Sequence, residues 1–306
     1  MIVDFGSINV DLVVRVAALP RPGETVLAPG YDAVAGGKGA NQAVAAARAG
    51  VRVHMVGSVG RDGFAAAALA DMRAAGVDLT AVAERDSPTA CAMICVDREG
   101  RNQIAVASGA NRETRAAQLD DALLGRGTTV LLQLEIDPGE TWTVIRRAKD
   151  RGARVVFNTA PAAPVPVAIA ARCDVLVMNE IEAPALARAA GVAADDPIAA
   201  ARRLADACDA VAIVTLGAEG ARAFARDAAW RIGALPVTAR DTTAAGDAFV
   251  GVLAAALDAG ADLPAALHRA SAAGGLACET PGAQPSLPEA AAIAAALSRL
   301  APAERM

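Results

Sequence analysis

Short runs of β-branched and other apolar residues alternate with alanine-rich stretches along most of this chain. The strand candidates are Ile2–Ile8, Arg52–Val59, Thr129–Leu134, Arg154–Asn158, Val175–Met178 and Val211–Thr215. The helix candidates are Gly39–Ala49, Phe64–Ala75, Gly139–Arg151, Ile181–Ala190, Ile198–Asp206, Ala245–Ala259 and Leu263–Cys278. Alternation at this spacing predicts βαβ units, and therefore an α/β fold whose mostly parallel central sheet has helices on both faces.

Two segments interrupt this alternation. Residues 11–35 contain short apolar runs separated by prolines and glycines, and residues 89–107 contain two apolar runs around Asp97–Gly100, a hairpin signal. Both segments predict antiparallel strands outside the main sheet, although ordinary surface hairpins would give the same pattern. No internal repeat or low-complexity linker divides the chain, so we expect one domain over residues 1–306.

A segment near the carboxyl end, Asp241–Asp247, leads into the start of a predicted helix. The first amides of a helix have no partner inside it and carry partial positive charge, so they suit a phosphate group. A carboxylate beside such an anion site, here Asp247, suits removal of a proton from an attacking hydroxyl. The segment therefore indicates phosphoryl transfer to an alcohol, and an ordinary aspartate helix cap is the alternative.

A second segment, Gly36–Gln42, also leads into an alanine-rich helix and places Lys38 between glycines. The chain has only two lysines, Lys38 and Lys149, among its 29 basic residues. This bias toward arginine indicates that Lys38 supplies a compact ammonium group where a planar guanidinium would not serve. Glycines let the backbone approach a ligand closely. A solvated turn lysine is the alternative interpretation.

Polar side chains follow several of the predicted strands. Asn9 and Asp11 follow the first strand, Glu135 follows the third, and Asn158 and Asn179 follow the next two. Ligands of open parallel sheets bind at the carboxyl ends of the strands. A carboxylate beside an amide can bind neighbouring hydroxyls, as a sugar requires, whereas either residue alone is typical of an Asx turn.

Composition excludes several function classes. The net charge is −5 and no basic run occurs, so nothing indicates nucleic-acid binding. Two distant histidines give no zinc-site spacing and no Ser-His-Asp arrangement. The five cysteines form no CxxC pair, so we expect reduced thiols in a cytoplasmic protein. Charged residues interrupt the alanine-rich stretches before about 18 apolar residues accumulate, so no membrane span is expected.

These motifs carry a family resemblance. Together with Gly6–Asp11, Asn158–Ala162, Asn179–Glu182 and Gly282–Ser286, the two glycine-containing segments resemble those of the ribokinases, within the phosphofructokinase-B-type carbohydrate kinases. The resemblance extends from the first predicted strand to about Pro288. It implies a ribokinase-like three-layer α/β/α fold. It also implies that residues 11–35 and 89–107 form a small β-sheet lid, which closes over the sugar and often pairs with another subunit.

The resemblance also implies roles for particular residues. The sugar hydroxyls would be bound by Asn9, Asp11, Gly37, Lys38, Asn41, Glu135 and Asp247. ATP and its Mg²⁺ would be bound by Asn179, Glu182, Thr215, Gly217 and Gly220, with Ser271 near the adenine. A monovalent cation, K⁺, would be bound by Asp241, Thr243, Ala277, Thr280, Gly282 and Ser286, mostly through carbonyl oxygens. Two positions depart from the family pattern: Ala248 stands where a threonine is common, and Ser271 where an asparagine is frequent.

The sequence therefore predicts an enzyme that transfers phosphate from ATP to the 5-hydroxyl of ribose. Asp247 would be the general base, and the amides of Ala244, Ala245 and Gly246 would stabilise the transferring phosphoryl group. A kinase for deoxyribose, a nucleoside or another small sugar is one alternative, and a non-catalytic sugar sensor is another. The scarcity of aromatic residues disfavours a nucleoside, and the intact Asp247 disfavours a sensor. We expect a homodimer formed through the lid.

Overall fold

Strands and helices alternate along the chain as predicted, in a computed structural model that describes all residues from Met1 to Met306. The strands are β1 Ile2–Phe5, β2 Asn9–Arg15, β3 Asp32–Gly36, β4 Val53–Gly60, β5 Asp78–Arg85, β6 Ala90–Val96, β7 Asn102–Ala107, β8 Thr129–Leu132, β9 Arg154–Asn158, β10 Val175–Asn179, β11 Val211–Thr215, β12 Ala221–Ala225, β13 Ala228–Ile232 and β14 Glu304–Arg305.

The α-helices are α1 Lys38–Arg48, α2 Gly63–Ala68, α3 Ala70–Ala74, α4 Pro138–Asp150, α5 Val167–Ala170, α6 Glu182–Ala189, α7 Pro197–Cys208, α8 Ala245–Asp258, α9 Leu263–Ala277 and α10 Ala290–Ala296. Short 3-10 helices span Gly109–Glu113, Ala116–Gln118, Asp121–Leu123, Gly217–Glu219, Gln284–Ser286 and Leu297–Arg299. None of the helices combines the length and the apolar character that crossing a bilayer requires.

The large sheet has the strand order β14-β13-β12-β11-β10-β9-β8-β1-β4-β5. Neighbouring strands are parallel from β5 to β11, and β12, β13 and β14 extend the sheet with antiparallel pairs. Successive residues of β1 enter different cores: Ile2 packs under α1, α8 and α9, and Val3 packs under α4, α6 and α7. The three-layer α/β/α architecture is therefore confirmed.

Glycines permit a close approach of α1, α8 and β1. A Cβ atom on Gly251 of α8 would lie 2.5 Å from the carbonyl oxygen of Gln42 on α1. A Cβ atom on Gly39 would lie 2.6 Å from the amide nitrogen of Ser7, just after β1. This packing brings the first turns of α1 and α8 together at the carboxyl end of β1.

A second, four-stranded sheet has the order β3-β2-β6-β7. The pairs β2–β3 and β6–β7 are antiparallel, as predicted, but the central pair β2–β6 is parallel. The apolar run Thr25–Leu27 belongs to no strand, and Leu27 is 92% exposed. The reason is local, since prolines in this segment cannot donate to a sheet ladder.

Other differences concern boundaries and edges. The helix predicted over Phe64–Ala75 is two short helices that meet at Leu69. The edge strand β5 and the hairpin of β12 and β13 were not among the strand candidates. Their short runs contain charged and alanine residues, which carry little strand signal.

Candidate active site

Asp247 lies in the first turn of α8 with its side chain buried. Two consecutive residues of α1 hold its carboxylate: Asn41 Nδ2 donates to Oδ2 at 2.9 Å, and Gln42 Nε2 donates to Oδ1 at 2.8 Å. Both donors belong to the Gly36–Gln42 segment, so the two glycine-containing segments converge. Because each carboxylate oxygen has its own donor, the orientation of Asp247 is fixed.

The backbone just before Asp247 is strained. Ala244 has a φ of 59°, in the left-handed region, which costs a non-glycine residue roughly 1–2 kcal/mol. The amides of Ala244, Gly246 and Asp247 donate no hydrogen bond within the chain, whereas the amide of Ala245 donates to the carbonyl of Thr242 at 3.3 Å. The free amides at this helix start therefore differ from the predicted set by one residue, because Ala245 is engaged and Asp247 is free.

Asp11, on β2, carries a carboxylate to which the chain supplies no hydrogen-bond donor. Burial, followed by repulsion from Glu135 and then from Asp247, raises the pKa of Asp11 from 3.8 to about 6. Gly36 on the neighbouring strand makes room, since a Cβ atom there would lie 2.4 Å from Asp11 Oδ2. A ligand with hydroxyl groups would supply the missing donors and favour the ionised carboxylate.

The ammonium group of Lys38 lies among these carboxylates without a direct ion pair. Attraction by Asp247 is the largest influence on it; burial acts in the opposite sense, and Glu135 and Glu182 add to the attraction. Together they raise the pKa of Lys38, so the side chain stays protonated. The backbone is held separately, because the Lys38 amide donates to Glu135 Oε2 at 2.9 Å.

Four further residues pack against this cluster. Ser7 Oγ donates to Glu135 Oε2 at 2.6 Å, and Asn111 Nδ2 donates to Asn9 Oδ1 at 2.7 Å. Gly37 is buried with a φ of 90°, and a Cβ atom there would lie 2.9 Å from the Asn9 amide nitrogen. The predicted sugar-binding residues are thus brought together at one end of β1, and the glycine at position 37 is required by both conformation and space.

Asn179 and Glu182 cap the start of α6 reciprocally. Asn179 Oδ1 accepts hydrogen bonds from the amides of Ile181 and Glu182, and Glu182 Oε2 accepts one from the Asn179 amide at 2.8 Å. Burial raises the pKa of Glu182, against the lowering effects of the Asn179 amide and of Lys38. A nearby cation would compensate for that burial, so the geometry fits Mg²⁺, which keeps much of its water and needs few protein ligands.

The remaining predicted nucleotide residues are spread over neighbouring loops. Thr215 pairs with Asn179 across β10 and β11. Gly217 and Gly220 both have positive φ, at 53° and 81°. Ser271 is buried on α9 and donates to the carbonyl of Gly233 at 2.6 Å. Its hydroxyl therefore joins α9 to the loop after β13, which is a structural contact sufficient to explain its burial.

The predicted cation-binding residues lie on two loops that are bonded together. Asp241 Oδ2 accepts from the Gly282 amide at 2.8 Å, and Asp241 Oδ1 accepts from Thr243. Burial acts to raise the pKa of Asp241, but these hydrogen bonds outweigh it and lower the pKa. The carbonyl oxygens of Thr243, Thr280 and Gly282 accept no hydrogen bond from the chain. An ionised carboxylate beside unpaired carbonyl oxygens suits a hard monovalent cation.

The other two predicted members of this set are engaged within their own loop. The carbonyl oxygen of Ala277 accepts from the Thr280 amide at 3.4 Å, and Ser286 Oγ donates to the Ala283 carbonyl at 2.7 Å.

Sequence reasoning missed five polar residues of the site. They are buried and contact predicted site residues directly or through one another: Asp4, Ser7, Gln42, Gln133 and Asn111. Asp4 and Gln133 had a visible signal, since each is a polar residue inside an otherwise apolar strand or strand end. Ser7 and Gln42 each stood within a motif whose neighbours were chosen instead, and Asn111 had no distinguishing pattern.

Residues 1–290 match the pattern of the pfkB family carbohydrate kinases. A ribokinase of Bacillus subtilis is 35% identical over 288 residues, covering 92% of this chain and 94% of that protein. A deoxyribokinase of Salmonella typhi is 34% identical over 287 residues, with the same two coverages. The solved structure of Arabidopsis thaliana ribokinase complexed with ribose and ATP is 29% identical, with a TM-score of 0.86 over 97% of this chain and 98% of that one.

Proposed function

We propose that this chain, which belongs to the pfkB family of carbohydrate kinases, transfers the terminal phosphate of ATP to the 5-hydroxyl of D-ribose and so makes ribose 5-phosphate. The observation that carries the proposal is the Asp247 carboxylate. Two side-chain amides of α1 hold it beside the free backbone amides that begin α8. The Bacillus and Arabidopsis ribokinases support ribose as the acceptor and, in the second case, ATP as the donor.

In this proposal the cluster at the end of β1 holds the sugar. Asp11 and Glu135 accept hydrogen bonds from hydroxyl groups, and the amides of Asn9 and Asn41 and the ammonium of Lys38 complete the pocket with Gly37. Asp247 takes the proton of the 5-hydroxyl as that oxygen forms its bond to phosphorus and the bond to ADP breaks. General-base assistance of this kind contributes about 10²–10⁴ in rate.

The helix start receives the charge that develops on the transferring phosphoryl group. The free amides of Ala244 and Gly246, and that of Asp247 itself, are the donors available for it. Asn179, Thr215, Gly217 and Gly220 would line the nucleotide phosphates and ribose. Ser271 is retained only as a neighbour of the adenine, because its hydroxyl is already bonded to Gly233.

Two metal ions belong to this proposal. Mg²⁺, organised near Glu182, would neutralise the nucleotide phosphates. K⁺ would lie between the loops of Asp241–Thr243 and Ala277–Ser286, where the carbonyl oxygens of Thr243, Thr280 and Gly282 are unpaired. Its contribution would be to fix the loop that precedes Asp247, not to contact the sugar.

We also propose that the four-stranded sheet is a lid and a homodimer contact. The cross-strand register places Ala92 and Val106 on the same face as Asp11, and Ile104 lies two residues from Val106 on that face. Ile104 and Val106 are 54% and 55% exposed, so this face presents uncovered apolar surface beside the sugar residues. A second subunit would cover it. Light scattering at micromolar concentration tests this, and a strict monomer with full activity would refute the dimer alone.

The state of the cysteines supports a proposal for the cellular compartment. All five are free thiols. Free thiols suit a reducing compartment, and we propose the cytoplasm.

A kinase for 2-deoxyribose is the second candidate, favoured by the similarity to the Salmonella deoxyribokinase. The two sugars differ in whether every polar group of the pocket finds a hydroxyl partner. With deoxyribose, one polar group of the pocket would stay buried without its hydroxyl partner, which a hydrogen-bonding site disfavours strongly. The ratio of kcat/KM for the two sugars therefore separates the candidates.

The test is an ADP-release assay with ATP, Mg²⁺ and K⁺ against a panel of ribose, 2-deoxyribose, adenosine and hexoses. We expect the highest kcat/KM with ribose and background release from Asp247→Asn. A higher value for deoxyribose would assign the enzyme to the second candidate. Sugar binding by calorimetry without ADP release from any member of the panel would indicate a sensor and refute the kinase proposal.

A further inference from the structure

A hydrogen-bonded network of buried side chains, here called the amide network, extends from Asp247 into the central sheet. Gln42 Nε2 donates both to Asp247 Oδ1 and, at 2.9 Å, to Asn158 Oδ1. Gln133 Nε2 donates to Gln42 Oε1 at 2.8 Å and to Asp4 Oδ1 at 3.2 Å. Asp4, Gln42 and Gln133 are each at most 1% exposed, so solvent cannot replace any of these bonds.

Asp4 is the least expected member of this amide network. It lies in β1, between strands β8 and β4 in the middle of the parallel sheet, and it is fully buried. Burial is the largest influence on it and raises its pKa well above the ordinary value; the Gln133 bond opposes this and Asp247 reinforces it. An apolar residue would avoid that desolvation, so packing alone does not account for an acid here.

The terminal amide of a glutamine can turn over and exchange its NH₂ group with its carbonyl. If Gln42 turned over, its carbonyl oxygen would face Asp247 Oδ1 at the present 2.8 Å contact, and two acceptors would oppose each other. Gln42 is prevented from turning by Gln133, whose NH₂ group needs the Gln42 carbonyl. Gln133 is in turn held by the acceptor Oδ1 of Asp4.

We propose that Asp4 and Gln133 are positioning residues for the reaction: they fix the amide of Gln42 so that its NH₂ group faces the Asp247 carboxylate. Neither touches the substrate. Their effect is on how often the base points toward the hydroxyl that it must deprotonate. The inference rests on the proposed function of Asp247, but the orientation of Gln42 can be measured without activity.

Titratable groups from four elements act on the proposed base. Lys38 from α1, Asp11 from β2 and Glu182 from α6 all act electrostatically with Asp247, as does Asp4 from β1. Substitutions of Asp4 must therefore separate loss of an acceptor from loss of a carboxyl group. Asp4→Asn keeps a carbonyl acceptor of the same size, and Asp4→Leu removes the acceptor at similar volume.

The first readout is spectroscopic. The chain has five glutamines, so ¹⁵N-glutamine labelling gives few side-chain NH₂ signals, and Gln42→Leu identifies the signal of Gln42. In the wild type this signal should exchange slowly with solvent. Asp4→Leu should shift it and shorten its exchange lifetime at least about tenfold, as expected when a buried bond is opened. Asp4→Asn should restore it.

The second readout is kinetic. Asp4→Leu should lower kcat on the order of tenfold, less than the ~10²-fold that a 1 Å misplacement can cause, with the sugar KM changed less than twofold. Asp4→Asn should recover most of kcat. Thr129→Val, a buried change on the neighbouring strand β8, is the control for general destabilisation and should affect neither readout.

Three outcomes would overturn the inference. One is a folded Asp4→Leu with an unchanged Gln42 signal. Another is equal losses for Asp4→Asn and Asp4→Leu, which would implicate the carboxyl group itself. The third is a loss confined to thermal stability. If Asp4→Leu does not fold, Gln133→Met makes the same test. A wild type that phosphorylates no sugar refutes the proposed function, while the Gln42 signal still decides this one.

Discussion

Replacing Asp11 by asparagine should stabilise the sugar-free protein at neutral pH and weaken sugar binding. Asp11 is held in the folded protein without hydrogen-bond donors and beside two other carboxylates, Glu135 and Asp247. Its ionised form is therefore less favourable in the folded state than in the unfolded chain. Asparagine has nearly the same shape, carries no charge and removes that cost.

The magnitude follows from the pKa of Asp11, which rises from 3.8 to about 6 on folding. The folded protein binds this proton more tightly, so stability is retained at low pH and is lost as the pH rises from about 4 to about 6. A shift of about two pH units corresponds to roughly 3 kcal/mol at most. Asp11 is partly exposed, and solvent screening reduces this free-energy difference. We expect Asp11→Asn to gain about 1–3 kcal/mol at pH 8 and less than about 1 kcal/mol near pH 4.

Urea unfolding without sugar at the two pH values measures this difference. Asp86→Asn, which changes an aspartate whose side chain is 94% exposed, is the matched control and should show no comparable pH-dependent gain. A stabilisation by Asp11→Asn that is equal at both pH values would refute the electrostatic explanation. That explanation requires the gain in stability to grow as Asp11 ionises between the two pH values.

The same variant tests the role of Asp11 in binding. Each hydrogen bond from a hydroxyl to the charged carboxylate is worth about 1.5–3 kcal/mol, so ribose affinity should fall by roughly tenfold or more. In the wild type, ribose affinity should also decline as the pH falls through about 6, since the carboxyl group must be ionised to accept two hydrogen bonds. Calorimetry showing unchanged affinity in the variant would exclude Asp11, a residue of strand β2, from the sugar site.

Three other predictions address the proposed chemistry. Asp247→Asn should lower kcat by about 10²–10⁴ while ribose still binds, and retention of more than about a tenth of kcat would contradict the general-base role. Lys38→Ala should raise the KM for ribose more than that for ATP, whereas Lys149→Ala, which removes only an ion pair with Asp174 at the surface, should change neither; the reverse order would assign Lys38 to the nucleotide. Replacing K⁺ by a large organic cation at equal ionic strength should reduce kcat more than ribose affinity, and equal rates in both salts would leave the 241–243 and 277–286 loops with a structural role.

The periodicity of the sequence was enough to predict the layers. Strands β9 and β11 have the predicted bounds, and α8 begins at the predicted Ala245, because apolar alternation and glycine breaks are local signals. The parallel pairing of β2 with β6 was not predictable in the same way. It depends on which distant segments become neighbours, and no local pattern records that.

The same limit applies within the site. Lys38, Asn41 and Asp247 could be chosen from their motifs, since glycine and a helix start mark each segment. That Gln42 would bond to Asp247 depends on the close packing of α1 against Gly251 of α8, which is a tertiary contact. Asp4 in an apolar strand was a local anomaly, but its partner Gln133 lies 129 residues away.

In the proposed reaction, the Asp247 carboxylate and a phosphate group bound at the start of α8 would repel each other. Several features of the structure reduce this repulsion. Asn41 and Gln42 each donate a hydrogen bond to the Asp247 carboxylate, Lys38 stays protonated near it, and the amides of Ala244 and Gly246 donate no hydrogen bond within the chain. Neutralisation alone would not aim the base at one hydroxyl, since charge attraction has little directionality. Hydrogen bonds are directional. Their directionality is a physical reason for polar side chains to continue from the site into a core that alanine and valine otherwise fill.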